Sequence, residues 1–178
     1  IMAARPNILL IVSEDNGPHL GSYGDPFVET PHLDALAATG VRFANTYTTQ
    51  AVCSPGRASI LTGLYPHQNG QIGLATHKYT MYRNFATIPR LLKEADYRTG
   101  IIGKVHVNPE EVFPFDFWWR DRDYISFANR DVYKIAEMAD AFITASNTPF
   151  FLMVNYPDAH MAWHRQKFLM PRRCSGSP

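Results

Sequence analysis

Cys53, one of only two cysteines in the chain, stands directly before Ser54-Pro55-Gly56-Arg57. The stretch SPGRASILTG that follows reads as a short helix, with Ser54 as its cap, Pro55 in its first turn and Gly63 as its stop. A thiol at that end of a helix lies beside free backbone N–H groups and the positive end of the helix dipole, a position suited to an anion. Arg57, in the first turn, can fork onto two oxygens of a tetrahedral anion. The residues together describe a nucleophile set against a sulfate-like or phosphate-like group. The other cysteine chemistries fit less well. A cysteine-phosphatase loop separates Cys and Arg by a longer stretch than Ser54-Pro55-Gly56. A thiol hydrolase needs a base near Cys53 in space, which sequence does not show. Ser, Pro, Gly and Arg as neighbours argue against a buried structural cysteine.

Three apolar segments run straight into further groups able to do chemistry. NILLIVS ends in Glu14-Asp15, RTGIIG leads to Lys104 and His106, and PFFLMVNY leads to Asp158 and His160. Taken singly, Lys104 reads as a solvated loop lysine and His160 as a surface histidine. Ligands of open α/β sheets bind outside the carboxyl ends of the strands, so three such ends in one sheet gather these side chains along one rim. His32 reads as a helix residue and His67, in YPHQNG, as part of a turn. His19, His77 and His164 have no assignable role.

The elements that must position these groups alternate. Residues 7–13 are an apolar run of strand length, expected to be covered on both faces. TPHLDALAATG reads as a helix with Thr30 as its cap, Pro31 at its first position, Leu33, Leu36 and Ala37 as its apolar stripe and Gly40 as its stop. VRFANTYT alternates like a strand. ATIPRLLKEAD reads as a helix, YRTGIIGKVH as a strand, RDVYKIAEMADAFITAS as an amphipathic helix and PFFLMVNY as a buried strand. The aromatic run VFPFDFWW reads as core packing in preference to a sugar platform. Strand–helix alternation predicts an α/β fold with a mostly parallel sheet sandwiched by helices.

Composition sets the outer bounds. With 46% hydrophobic and 19% charged residues among 178, the chain has material for one domain with a sizeable core. A net charge of +1 carries no footprint for nucleic acid or an anionic membrane. No apolar run reaches the length of a membrane span, and IMAARPNILL lacks the sections of a signal peptide. Two cysteines far apart make neither a metal knuckle nor a disulfide framework, and a Cys53–Cys174 bridge stays open.

CSPGRASILTG resembles the sulfatase signature, in which Cys-x-Pro-x-Arg precedes a small-residue helix ending in Thr-Gly. The resemblance runs in order from Pro6 to about Trp163. PNILLIVSEDNG is similar to the family's first strand and its calcium-binding acids, and TPHLDALAATGVRFANTYT to the segment before the signature. GIIGKVH is similar to the stretch supplying a lysine and a histidine, and PFFLMVNYPDAH to the strand ending in a sulfate-contacting histidine. The fold implied is that of alkaline phosphatases and sulfatases. Within the family, TGIIGKVHVNPEEVFPFDF and LYPHQNGQIGL look most like the sulfamidase (heparan N-sulfatase) subgroup and its bacterial relatives.

The resemblance implies a sulfuric ester or sulfamate hydrolase acting on a sulfated sugar. Cys53 would be oxidised to formylglycine by a maturation enzyme that reads Cys53-x-Pro55-x-Arg57. A hydrated aldehyde carries two hydroxyls, one to attack sulfur and one whose collapse expels the sulfate. Arg57 and Lys104 would hold the hydrate and spread negative charge, His106 would position or deprotonate a hydroxyl, and His160 would bind or protonate the leaving side. Glu14, Asp15 and the converted Cys53 would hold Ca2+. Relatives of this kind imply a periplasmic, secreted or lysosomal compartment.

Two alternatives stand beside this reading. One is an inactive fragment that at most binds an anion. The other is a phosphoesterase of the same superfamily, which Cys53 in its motif argues against. Glu14 departs from the commoner Asp-Asp pair by one methylene, and PDAH leaves only His160 where many relatives carry more histidine. Residues 1–163 correspond to the N-terminal part of a sulfatase catalytic domain, incomplete at its C-terminal side. Residues 164–178 are expected to be an unrecognised, truncated or out-of-frame tail.

Overall fold

The computed structural model describes residues 5–121, 130–157 and 160. The strands are β1 (Ile8–Ser13), β2 (Arg98–Ile102), β3 (Phe117–Trp119) and β4 (Phe150–Tyr156). The helices are α1 (Pro31–Thr39), α2 (Cys53–Thr62), α3 (Pro66–Asn69), α4 (Ile88–Glu94) and α5 (Val132–Thr144). All four strands are parallel, in the order β1-β4-β2-β3. The α/β parallel sheet expected from strand–helix alternation is what the chain adopts.

β4 is the centre of the arrangement. Leu152 is in register with Leu9 of β1 on one side and Gly100 of β2 on the other. Side chains alternate across a strand, and β4 uses both faces. Phe151 and Met153 pack into one core with Ala58 and Leu61 of α2, Ile101, and the nearby Val105 and Val107. Phe150, Leu152 and Val154 pack into the other with Ile135 and Phe142 of α5. Gly100 lets α5 approach the sheet: a Cβ there would lie 2.7 Å from the Phe142 ring. Asp131 caps α5, its carboxylate accepting from Lys134 N at 2.9 Å.

Several sequence expectations need correction. Among the described residues β1 lies at the edge of the sheet and is covered on one face. Ile8, Leu10 and Val12 pack on the α2 side, while Leu9 and Ile11 on the other face are 47% and 55% exposed. The expected strand at VRFANTYT does not form; it finds no strand to pair with, and Val41, Phe43 and Tyr47 are exposed. α1 forms, yet its apolar stripe is uncovered, with Leu33 and Leu36 exposed. Thr30 does not cap it in the usual sense: its hydroxyl donates to Asp34 at 2.9 Å and accepts from Gly21 N. VFPFDFWW packs as expected, Val112 and Phe113 within the first core and Phe115 and Trp118 against it. Its last part also forms the short strand β3, which the sequence reading did not anticipate. Among the described residues no helix is long and apolar enough to cross a membrane.

Candidate active site

The carboxyl ends of β1, β2 and β4 meet the N-terminus of α2. Each chain exit is shaped by its backbone. After β1 the ladder runs one residue further, Glu14 N donating to Tyr156 O at 3.2 Å, before Asp15 turns the chain at a φ of 53°. This fixes Glu14 pointing inward, 5% exposed, and leaves Asp15 outside it in solvent. After β2, Gly103 adopts a φ of 88°, and a Cβ there would press on the Asn155 carbonyl at 3.1 Å. The chain then delivers Lys104 and, at another left-handed position with φ 55°, His106. Beyond β4, His160 N donates to Pro157 O at 3.0 Å, and its imidazole lies at the rim beside Asp15.

Glu14 is the hub. One carboxylate oxygen accepts from Arg57 Nη2, and the other accepts from Lys104 Nζ at 2.9 Å. Burial by itself raises the Glu14 pKa. The charges and hydrogen bonds of Arg57 and Lys104 outweigh it, and the carboxyl is held below its ordinary value. Arg57, itself 5% exposed, also donates through Nη1 to the Lys104 carbonyl and to Asn155 Oδ1, both at 2.7 Å. Asn155 Nδ2 donates in turn to the Ile102 carbonyl at 2.8 Å. The sequence reading did not single out Asn155. Its one signal was a polar residue inside an otherwise apolar strand, and a buried amide needs partners.

Cys53 is a free thiol at the first position of α2, half-buried, with Sγ directed at Glu14 Oε2 at 3.9 Å. The helix begins two residues earlier than expected, and Val52 occupies the cap position without a side-chain bond. Ser54 is therefore no cap. It is buried and its hydroxyl accepts from Ala75 N at 2.9 Å. Cys53 is not fully buried, although its neighbours Ser54, Pro55 and Arg57 are, because this face of α2 packs against the sheet.

His160 Nε2 lies 3.7 Å from Asp15 Oδ2. Ligand atoms of Glu14, Asp15, Cys53 and His160 all fall within 4.8 Å of one another. His106 completes the group. Both of its ring nitrogens are buried without a hydrogen-bond partner. Burial, then the charges of Lys104 and Arg57, push its pKa down to about 4, so the imidazole is neutral at neutral pH. Glu14, Asp15, Cys53, Arg57, Lys104, His106 and His160 thus converge on one rim. Asp158, Trp163, His164 and Cys174 lie outside the described residues. His19 instead pairs with Asp25 at 2.9 Å, and His67 stacks on Tyr65 in α3.

The donor chemistry bears on calcium directly. Two adjacent carboxylates offer the hard oxygens that ion prefers, whereas a thiol is a poor calcium ligand. An oxygen at position 53, as formylglycine would supply, removes that mismatch. The residues fit the ion in the converted state.

Comparison with known proteins gives this constellation its family. The family model described as Sulfatase matches residues 6–173. Human N-sulphoglucosamine sulphohydrolase is 42% identical over 168 residues, covering 92% of this chain and 34% of that protein. The solved structure of BT4656 in complex with its substrate D-glucosamine-2-N,6-O-disulfate superposes with a TM-score of 0.76 at 28% identity, over 90% of this chain and 36% of that one. A protein in the alkaline phosphatase superfamily from Vibrio parahaemolyticus shares the fold, with a TM-score of 0.64 at 24% identity over 94% of this chain and 44% of that one. The chain thus spans about a third of the length of the human relative. With the signature cysteine on a helix N-terminus beside two acids, two cations and two histidines, and a family match over almost its whole length, the chain belongs to the sulfatase family.

Proposed function

We propose that the protein carrying this chain hydrolyses a sulfamate or sulfate ester on a sulfated sugar, with position 53 converted to formylglycine and calcium held at Glu14 and Asp15. The observation that carries the reading is the placement of Cys53: at the N-terminus of α2, with Glu14, Asp15 and His160 all within 4.8 Å by their ligand atoms. Two relatives, a sulphohydrolase of N-sulphoglucosamine and an enzyme solved with an N- and O-sulfated glucosamine, support the substrate class.

A formylglycine at position 53 would supply hydroxyls for attack on sulfur and release of sulfate, and calcium held by Glu14 and Asp15 would supply a Lewis acid toward a sulfate oxygen. The chain's own side chains do the rest. Lys104 places a positive charge at the rim, 23% exposed and so able to reach an anion while bonded to Glu14. Arg57 acts from below: its donors go to Glu14, Asn155 and the Lys104 carbonyl, so it holds Glu14 ionised and fixes the loop that carries Lys104. Neutral His106 can take a proton from a hydroxyl at position 53. His160, 14% exposed beside Asp15, stands where a leaving amine or alcohol would need a proton.

The test uses the complete protein, co-expressed with a formylglycine-generating enzyme. Peptide mass spectrometry is expected to show conversion of Cys53. The kcat/KM for N-sulfoglucosamine is expected to exceed that for an aryl sulfate, and Cys53→Ala to abolish both activities. Unmodified thiol beside a converted control substrate would overturn the formylglycine assignment. Preference for the aryl ester, with no amine released from the sugar, would overturn the substrate class.

A further inference from the structure

We propose that in the folded chain with Cys53 unconverted the same rim is a zinc site, built from the Cys53 thiolate, the His160 imidazole and the Asp15 and Glu14 carboxylates. The proposal goes beyond the hydrolase reading and does not rest on it, since it concerns the chain with its thiol intact.

Geometry and donor type carry the argument. A tetrahedral zinc ion with Zn–N and Zn–O near 2.0–2.1 Å and Zn–S near 2.3 Å sets its ligand atoms about 3.3–3.8 Å apart. Cys53 Sγ and Glu14 Oε2 are 3.9 Å apart, and His160 Nε2 and Asp15 Oδ2 are 3.7 Å apart. All four ligand atoms fall within 4.8 Å of one another, so small side-chain rotations close the tetrahedron. The four come from three separate parts of the fold: the end of β1, the start of α2 and the turn after β4.

The set is one sulfur, one imidazole nitrogen and two carboxylate oxygens. Thiolate and imidazole suit a borderline-soft ion such as zinc and suit calcium poorly. Glu14 has room for the additional contact. Each carboxylate oxygen offers two lone pairs, and Oε2 already faces Lys104 Nζ and the Cys53 S–H. On binding, a Zn–S bond replaces the S–H bond of Cys53 and the thiol proton passes to solvent, with no change in oxidation state. Charge also balances. Arg57 and Lys104, both paired with Glu14, match the two carboxylates in number of charges, so the thiolate is the group whose new negative charge offsets part of the ion's. Asp15 is half exposed and Cys53 half-buried, which leaves a path for entry.

Conversion to formylglycine removes the sulfur. The same rim then trades a borderline-soft donor for a hard one, and its preference moves from zinc to calcium. The metal that the rim holds would thus report the state of residue 53.

The experiment uses the full chain with Cys53 unconverted and Cys174 replaced by Ser, so that any thiolate signal belongs to position 53. Metal is removed with chelator and Co2+ is added as a spectroscopic probe. A sulfur-to-cobalt charge-transfer band in the near ultraviolet with tetrahedral visible bands is expected, and one equivalent of Zn2+ should bleach both. Zn2+ should slow alkylation of Cys53 by iodoacetamide at least tenfold, whereas Ca2+ at the same concentration should not. Cys53→Ser and His160→Ala should each weaken zinc binding at least tenfold, and the urea-unfolded chain should bind at least tenfold more weakly than the chain in buffer. Absence of the charge-transfer band, parent-like zinc affinity in either variant, or equal binding by the urea-unfolded chain would overturn the proposal. None of these readouts uses sulfatase activity, so its failure and that of the proposed function are distinguishable.

Discussion

Asn155 holds Arg57 from beneath the candidate active site: Oδ1 accepts from Arg57 Nη1 at 2.7 Å while Nδ2 donates to the Ile102 carbonyl at 2.8 Å. One side chain on β4 thereby links the signature helix to the end of β2. Asn155→Leu keeps the volume and removes both bonds. A loss of about 2–3 kcal/mol is expected, because a buried guanidinium N–H and a backbone carbonyl lose their partner. Urea unfolding at neutral pH measures it; an unchanged midpoint would show that the link is dispensable.

Glu14 carries the opposite charge to both cations of the site. Glu14→Gln leaves Arg57 buried and uncompensated, and a loss of about 3–5 kcal/mol is expected. Glu14→Asp keeps the charge one methylene short and should cost less, about 1–2 kcal/mol. Chemical denaturation of the three proteins side by side checks the order; equal losses would mean that shape, not charge, sets the requirement.

His106 makes stability depend on pH. Its pKa falls from 6.5 to about 4 on folding, with burial as the main cause. A depressed folded pKa means that the unfolded chain binds the proton more readily. The resulting stability is fully present above pH 6.5 and is lost as pH falls from there toward about 4. His106→Gln removes that dependence. Between pH 7 and pH 5 the parent should lose more stability than the variant, as read by urea midpoints; parallel losses would contradict the burial of a neutral imidazole.

Gly100 makes room for α5. Gly100→Ala puts a methyl 2.7 Å from the Phe142 ring, and a cost of about 1–3 kcal/mol is expected from overpacking. Trimming the ring in a Gly100→Ala, Phe142→Leu double variant should recover part of the loss left by adding the two single changes. A double-mutant cycle with no coupling would place the strain elsewhere.

The strands that end at the rim were legible in the sequence because each is an apolar run followed at once by titratable groups. Glu14, Asp15, Lys104, His106 and His160 were therefore placed correctly at strand ends, and Cys53 at a helix start. Orientation was not legible. Arg57 read as a fork for an anion, without a direction, and its donors here go to Glu14, Asn155 and the Lys104 carbonyl, because burial of α2 decides which way the first turn faces. Asn155 was hidden inside an apolar run, where one polar residue does not disturb a strand assignment. β1 read as doubly covered because apolar residues on a bare face look the same in sequence as those on a packed one. The missing strand at VRFANTYT shows the converse: alternation makes a strand only where an edge is available to pair with it.

β4 sits between β1 and β2 although it is the last of the described strands. The sheet cannot be completed in the order in which it is synthesised. Asn7 Oδ1 accepts from Phe150 N across 143 positions of sequence, so the β1–β4 contact closes a loop that contains almost everything else. At about 5–20 residues per second, the roughly one hundred residues between Cys53 and the end of β4 take about 5–20 seconds to emerge. During that interval Glu14, Lys104 and the turn bearing His160 have no common strand to gather on. Cys53 is then a side chain on an open peptide, and any chemistry that acts on an extended chain has that interval to reach it. Insertion of β4 ends that exposure, so the strand order of the sheet acts as a clock on the chemistry of a residue nearly one hundred positions upstream.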